Sequence, residues 1–405
     1  MKIGVYLSGL GDAFTKESAE KYVRRFAREY DFDNPEHIAS YQLHLERFEF
    51  DTELHLSCNR IVVTELKGEK TKVIYKFYEY SYAGLLTRNF RTKNTLKKTL
   101  LLFLGVCSKF PLMLFRLFYV GKNVGYRHRF RGQVLYLFLL FFIVSLGILI
   151  LLPIAIAVVL TLLEKNYFLK SLADELCLNL EILKYWLTLF TNLTALLILL
   201  MPGVNEKIVS LACEFVSASD YLEKGATKQA IHGQLDLLIE QIINEEGSKT
   251  ELYFHSYSFG TLICLDYIFP YGVKPSVRLK QHLKGLITIG SPIDFIKVYF
   301  PKFFKGRNLM LNEQLEWINV YSMADALASN FRSRANEGPA QYSFEENALK
   351  PINVRYEVAN TRMNLISQFF TLYALKAHSN YWEANDFSQS CFRELIPVMK
   401  ERNFL

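Results

Sequence analysis

Polar and apolar positions follow three patterns along this chain. Short apolar or alternating runs bounded by turn residues predict strands at 2–7, 60–65, 72–80, 251–254, 283–289 and 317–321, with one more near 354–359. Apolar residues at helical spacing predict helices at 15–30, 229–246 and 363–376. Over 205–330 the strands and helices alternate. The expected fold class is therefore α/β, a mostly parallel sheet covered by helices. Residues 75–82, Tyr-Lys-Phe-Tyr-Glu-Tyr-Ser-Tyr, read as an aromatic strand of core and sheet surface. Their place just before a long apolar block also suggests packing near a bilayer interface.

The third pattern is unbroken. Residues 134–163 are thirty positions without a charge, and 185–204 are twenty more. As a helix the first would run ~45 Å, more than the ~30 Å hydrocarbon core. It predicts one crossing, tilted or bent at Pro153, and the second stretch predicts a return. The 21 residues between them hold three basic and four acidic side chains, too few for a folded domain. Ahead of the spans, residues 99–120 form an apolar piece broken by Lys109, Pro111 and Arg116. That pattern predicts a segment lying in the headgroup plane on anionic lipid. The expected organisation is thus a folded part in 1–90, a basic segment plus two transmembrane helices in 91–204, and the rest of the fold in 205–405.

Charge sharpens the topology. Eleven Lys and Arg and no Asp or Glu lie between Arg88 and Arg131, leaving 36 basic against 40 acidic residues elsewhere. The net charge of +7 is one local block, which argues against a general nucleic-acid surface. By the positive-inside rule it predicts an integral protein of an inner or cytoplasmic-type membrane, with the folded part on the cytoplasmic side. Two spans without internal charge offer no ion pathway, which excludes a channel or transporter. The six cysteines contain no C-x-x-C pair and read as reduced thiols.

Candidate chemistry concentrates at 251–267. A β-type run, Glu-Leu-Tyr-Phe-His, leads into Ser256-Tyr-Ser258-Phe-Gly260, and an apolar helical pattern follows. This matches the strand–turn–helix layout of a nucleophile elbow, G-x-S-x-G, with Ser256 at the first glycine's place. Gly260 sits two residues after Ser258, where strand and helix nearly touch, and this favours Ser258 as nucleophile over Ser256. The other glycine turn, Ser8-Gly9-Leu10-Gly11-Asp12, ends the first strand. A dinucleotide fingerprint would need glycine at position 14, which is Phe14. A backbone donor for an oxyanion or an ordinary turn are the remaining readings. The acid should end a strand: Asp325 does so, and Asp294 is the rival. Of the eight histidines only His378, in Ala-His-Ser-Asn-Tyr-Trp382, lies well beyond the elbow.

The elbow, Gly290-Ser-Pro, the strand-end Asp325 and His378-Ser-Asn-Tyr-Trp382 together resemble lipase-type α/β hydrolases. The likeness covers 1–20 loosely and 205–385 more firmly, without the apolar insertion. It implies a triad of Ser258, His378 and Asp325, with oxyanion donors from the N–H of Phe259 and of Gly9 or Leu10. It implies no cofactor and no metal. The expected function is a membrane-anchored serine hydrolase cleaving acyl esters of lipids or lipid-like substrates, with membrane lipid as its partner. The alternative is a hydrolase-like membrane-bound binding or scaffold protein without turnover. No oligomeric state is legible in the sequence.

Overall fold

Eight strands make one sheet: β1 Lys2–Leu7, β2 Ser40–Asp51, β3 Leu56–Lys67, β4 Lys70–Glu79, β5 Glu251–Tyr257, β6 Leu283–Ile289, β7 Glu316–Tyr321 and β8 Ile352–Arg355. Their order is β2-β3-β4-β1-β5-β6-β7-β8. From β4 through β8 every neighbouring pair is parallel; β2, β3 and β4 form an antiparallel meander. The computed structural model describes residues 1–11, 18–32, 40–67, 70–92, 216–300, 302–325, 327–333, 337–357, 377–382 and 389–405, plus isolated positions between 111 and 213. The expected interfacial segment at 99–120, the spans at about 134–163 and 185–204, and the predicted helix at 363–376 lie outside them, isolated positions aside. Among the described residues no helix is long and apolar enough to cross a membrane.

Met1–Leu86 and Tyr221–Leu405 belong to one compact unit, which holds every residue of the candidate site. Of the second unit, Thr87–Tyr119 with Leu137–Asp220, few residues are described. Central strands in the first unit are buried on both faces. Five of the six β1 residues and six of the seven in β5 are buried, which explains their nearly continuous apolar sequence. Edge strand β2 instead exposes Glu46, Arg47 and Glu49. Charges of that kind blunt an unpaired strand edge.

The helices are α1 Ser18–Phe32, α2 Ala83–Arg91, α3 Lys228–Glu246, α4 Phe259–Ile268, α5 Val277–His282, α6 Ile293–Tyr299 and α7 Phe392–Glu401. Alternation along β5 sorts two of the layers. Tyr253 and Tyr257 join a core with Tyr22 and Phe26 of α1 and Phe392, Leu395 and Met399 of α7. Phe254 points the other way and meets Tyr267 of α4. Tyr75, Phe77, Tyr78, Tyr80 and Tyr82 are all buried. The aromatic residues of this stretch are therefore core, several of their rings packed edge to face with their neighbours.

His255 lies fully buried at the centre of this layer. The Tyr22 hydroxyl is 2.8 Å from its Nδ1 and the Tyr75 hydroxyl 3.1 Å from its Nε2. A neutral ring, one nitrogen donating and one accepting, satisfies both partners. Burial pushes its pKa down to about 3. The unfolded chain binds this proton near the ordinary histidine value and the native chain does not. Stability is thus unaffected above that value and is lost as pH falls below it. Between pH 7 and pH 5 the loss from this group is about 2 kcal/mol. Urea unfolding in detergent at the two pH values checks this. Wild type should lose more stability over the interval than His255→Gln, and equal losses would contradict the assignment.

Candidate functional site

Parallel pairing brings the carboxyl ends of β1, β5, β6 and β7 to one edge of the sheet. Four loops leave that edge and border the site, and His378 comes from the longer connection that follows β8. After β5 the chain turns directly into α4. Ser258 forms the turn with φ 50° and ψ −119°. A non-glycine residue reaches such a conformation only where its surroundings hold it, at about 1–3 kcal/mol. Its N–H donates to the Ile289 carbonyl at 2.9 Å, and its carbonyl accepts from the Thr261 N–H at 3.1 Å. Ser258 is partly exposed, between the buried residues Tyr257 and Phe259.

Gly260 shows why the turn needs its glycine. A Cβ there would lie 2.5 Å from the Leu7 carbonyl oxygen and 2.6 Å from that of Ser8. The first turn of α4 sits directly on the end of β1. Ser256 occupies the equivalent place on the strand side and is buried. Its hydroxyl is 3.1 Å from the Ile287 carbonyl, to which it donates, and 3.3 Å from Thr261 Oγ1. Serine is tolerated there because its polar atom is paired with the neighbouring strand, well away from the exposed turn.

His378 Nε2 lies 2.7 Å from Ser258 Oγ, and its Nδ1 lies 2.8 Å from Asp325 Oδ2. The Asp325 side chain is fully buried, while that of His378 keeps 15% exposure. The other Asp325 oxygen accepts the Leu327 N–H at 2.8 Å. Asp294, the rival acid, is instead bonded to the Tyr342 hydroxyl at 3.2 Å through each oxygen. Of the sequence-derived residues, Ser258, His378 and Asp325 thus form one hydrogen-bonded chain, and Ser256 and Asp294 fall outside it.

The glycine turn after β1 borders the same place. A Cβ on Gly9 would lie 2.8 Å from the Tyr257 ring and 3.1 Å from Ser258 Cβ. Tyr82 holds the turn through a bond from its hydroxyl to the Ser8 carbonyl at 2.8 Å. Leu10 follows, half-buried. Phe259, the first residue of α4, is itself buried and packs near the rings of Tyr82 and Tyr221. Gly9 and Phe259 therefore lie beside Ser258, and Leu10 follows Gly9 in the same turn.

Three further residues shape the pair, and sequence reasoning gave them no role. Tyr257 stacks on the His378 ring with centroids 5.3 Å apart, and its hydroxyl donates to the His378 carbonyl. Tyr381 bonds to Asp325 Oδ2 at 2.8 Å. Gly290, at φ 58°, leaves room for both: a Cβ there would lie 2.9 Å from Tyr381 and 3.2 Å from His378. Their only sequence signal was place, beside the serine, beside the histidine and at a strand end.

At its far end α4 is anchored by Asp266, which is buried with the Arg307 guanidinium. Lys228 Nζ and the Tyr221 hydroxyl each reach Asp266 Oδ2 at 2.8 Å. Burial alone would raise this carboxyl; Arg307 and Lys228 outweigh it and hold the pKa below its ordinary value. Among the described residues no group of His, Cys, Asp and Glu is arranged to hold a metal ion.

A serine hydroxyl bonded to an imidazole, itself bonded to a buried carboxylate, can lose its proton as it attacks an electrophilic carbon. The turn carrying that serine should be intolerant of bulk. Gly260→Ala should lower stability by about 3 kcal/mol in chemical denaturation, because its contacts are backbone atoms. Gly233→Ala, where a Cβ within α3 meets nothing within 4 Å, should raise stability by about 0.5–1 kcal/mol. Equal tolerance at the two sites would contradict the tight approach. Comparison with family models, curated proteins and solved structures gave no match for this chain, so the chemistry of the site is argued from its own geometry.

Proposed function

We propose that this chain is a membrane-anchored serine hydrolase of the lipase-type α/β-hydrolase kind, cleaving acyl ester bonds of lipids or lipid-like substrates. One observation carries the reading: Ser258 Oγ, His378 and Asp325 are joined by hydrogen bonds of 2.7 and 2.8 Å at the mouth of a strained strand-to-helix turn. In the proposed reaction Ser258 Oγ attacks the ester carbonyl while His378 Nε2 takes its proton. Asp325 holds the ring in the tautomer whose Nε2 accepts, and it stabilises the imidazolium formed. The oxyanion faces the Phe259 N–H and that of Gly9 or Leu10. His378 returns the proton to the leaving alcohol, and water then releases the acyl group by the same base.

The membrane part of the proposal rests on the apolar stretches at 134–163 and 185–204 and the basic block before them. Sheet topology adds a constraint. β1 lies between β4, which precedes those stretches, and β5, which follows them. Both halves of the fold must occupy one side of a bilayer, so any crossings between them are even in number. Two spans meet that requirement, and the local positive charge favours the cytoplasmic side.

A fluorophosphonate probe applied to detergent-solubilised protein tests the reading. Wild type and Ser256→Ala should label, whereas Ser258→Ala should not. Labelling that survives Ser258→Ala but not Ser256→Ala would overturn the nucleophile. A folded wild type that does not label would favour the alternative of a binding or scaffold protein.

A further inference from the structure

The acid of the proposed reaction carries one hydrogen bond that proton relay does not require. Tyr381 follows His378 by three residues on the same short turn, and its side chain is almost fully buried. Its hydroxyl accepts the Ser322 N–H at 3.0 Å and donates to Asp325 Oδ2 at 2.8 Å. That oxygen also faces His378 Nδ1 at 2.8 Å. One carboxylate oxygen therefore serves two donors from one turn, while Oδ1 takes the Leu327 N–H.

We propose that Tyr381 is a positioning residue for the acid–base pair: its hydroxyl fixes the rotation of the Asp325 carboxylate and shares the charge that Oδ2 offers to His378. The proposal rests on the hydrolase reading above and deepens it. Three arguments support it. A carboxylate held by donors on both oxygens cannot swing about its terminal torsion, so the imidazole meets a fixed acceptor. Hydrogen bonds to a charged acceptor are the strong ones, so the phenol competes appreciably with the imidazole for the same lone pairs. Burial, with the Asp325 charge beside it, also holds the Tyr381 hydroxyl well above its ordinary pKa, so it remains a donor throughout the working range.

The neighbourhood leaves this role to Tyr381. Tyr257 of β5 and Tyr356 after β8 each face the Tyr381 ring at 6.3 Å between centroids. The Tyr257 hydroxyl is taken up by the His378 carbonyl, and that of Tyr356 by the Gln389 carbonyl. Cys391 of the α7 cap reaches Tyr381 through its backbone N–H. Glu357 accepts from the Ser322 hydroxyl and the Met323 N–H and is paired with Arg355.

Tyr381→Phe tests the proposal, with Tyr356→Phe as control for loss of a hydroxyl from the same aromatic cluster. Two readouts are needed. The downfield NMR resonance of the His378 Nδ1 proton, identified by its loss in His378→Ala, does not depend on turnover. The pH profile of kcat/KM for an activated acyl ester does. In Tyr381→Phe the resonance should move downfield, kcat should fall about tenfold with little change in KM, and the acidic limb of the profile should move to higher pH. Loss of the competing donor leaves more charge on Oδ2 for the imidazolium, which sets that direction. Tyr356→Phe should leave both readouts in place. An unchanged resonance and profile in Tyr381→Phe, or an equal change in Tyr356→Phe, would overturn the role. A resonance that shifts as expected in a protein without esterase activity would support the positioning and sink the hydrolase reading.

Discussion

The first turn of α4 rests on the last carbonyls of β1, and the rest of the site depends on that contact. Gly260 permits it, since a methyl group there would overlap the Leu7 and Ser8 oxygens at 2.5 and 2.6 Å. The approach forces Ser258 to φ 50°, a conformation a serine leaves unless its neighbours forbid it. The Ile289 carbonyl holds the Ser258 N–H at 2.9 Å, and Asp266 fastens the other end of the helix to Arg307, Lys228 and Tyr221. The hydroxyl is thereby aimed outward from a rigid frame. Parallel strands supply that frame, because only a parallel arrangement delivers four loops to one sheet edge.

Three polar side chains buried in this frame are closely paired. His255 is neutral between two tyrosine hydroxyls. Asp325 has a donor on Oδ1 and two groups on Oδ2. Asp266 meets two cations and a phenol. Removing one partner from such a group leaves a desolvated atom unsatisfied, which costs more than the bond itself contributed. His255 on β5 and His378 show how burial divides chemistry. His255 has no exposure and is locked as a structural neutral ring, whereas His378 retains an opening and faces a serine.

Much of this was legible in the chain. The α/β class followed from alternating patterns over 205–330, and the central strands begin and end close to the expected positions. Gly260 pointed to Ser258, and the order of Ser258, Asp325 and His378 matches the hydrogen-bonded chain they form. The antiparallel meander was less visible. β2 is an exposed edge strand whose charges mask its alternation, and β3 extends well beyond the expected 60–65. The aromatic run 75–82 read as core and sheet surface, and its rings are buried. Tyr381 had no legible role because it meets Asp325 across 56 residues, and neither residue type announces the pairing. Ser256 and Ser258 are the same residue type two positions apart; what separates them is that Ser256 is the buried penultimate residue of β5, whereas Ser258 forms the half-exposed turn beyond it.

Stopped-flow kinetics with a chromogenic acyl ester tests the central claim most directly. With an activated ester, whose acylation of Ser258 outpaces release of the acyl group by water, the leaving group should appear in a burst stoichiometric with the protein. The acyl mass should be found on the peptide carrying Ser258. No burst, or an acyl group on a different peptide, would contradict the account.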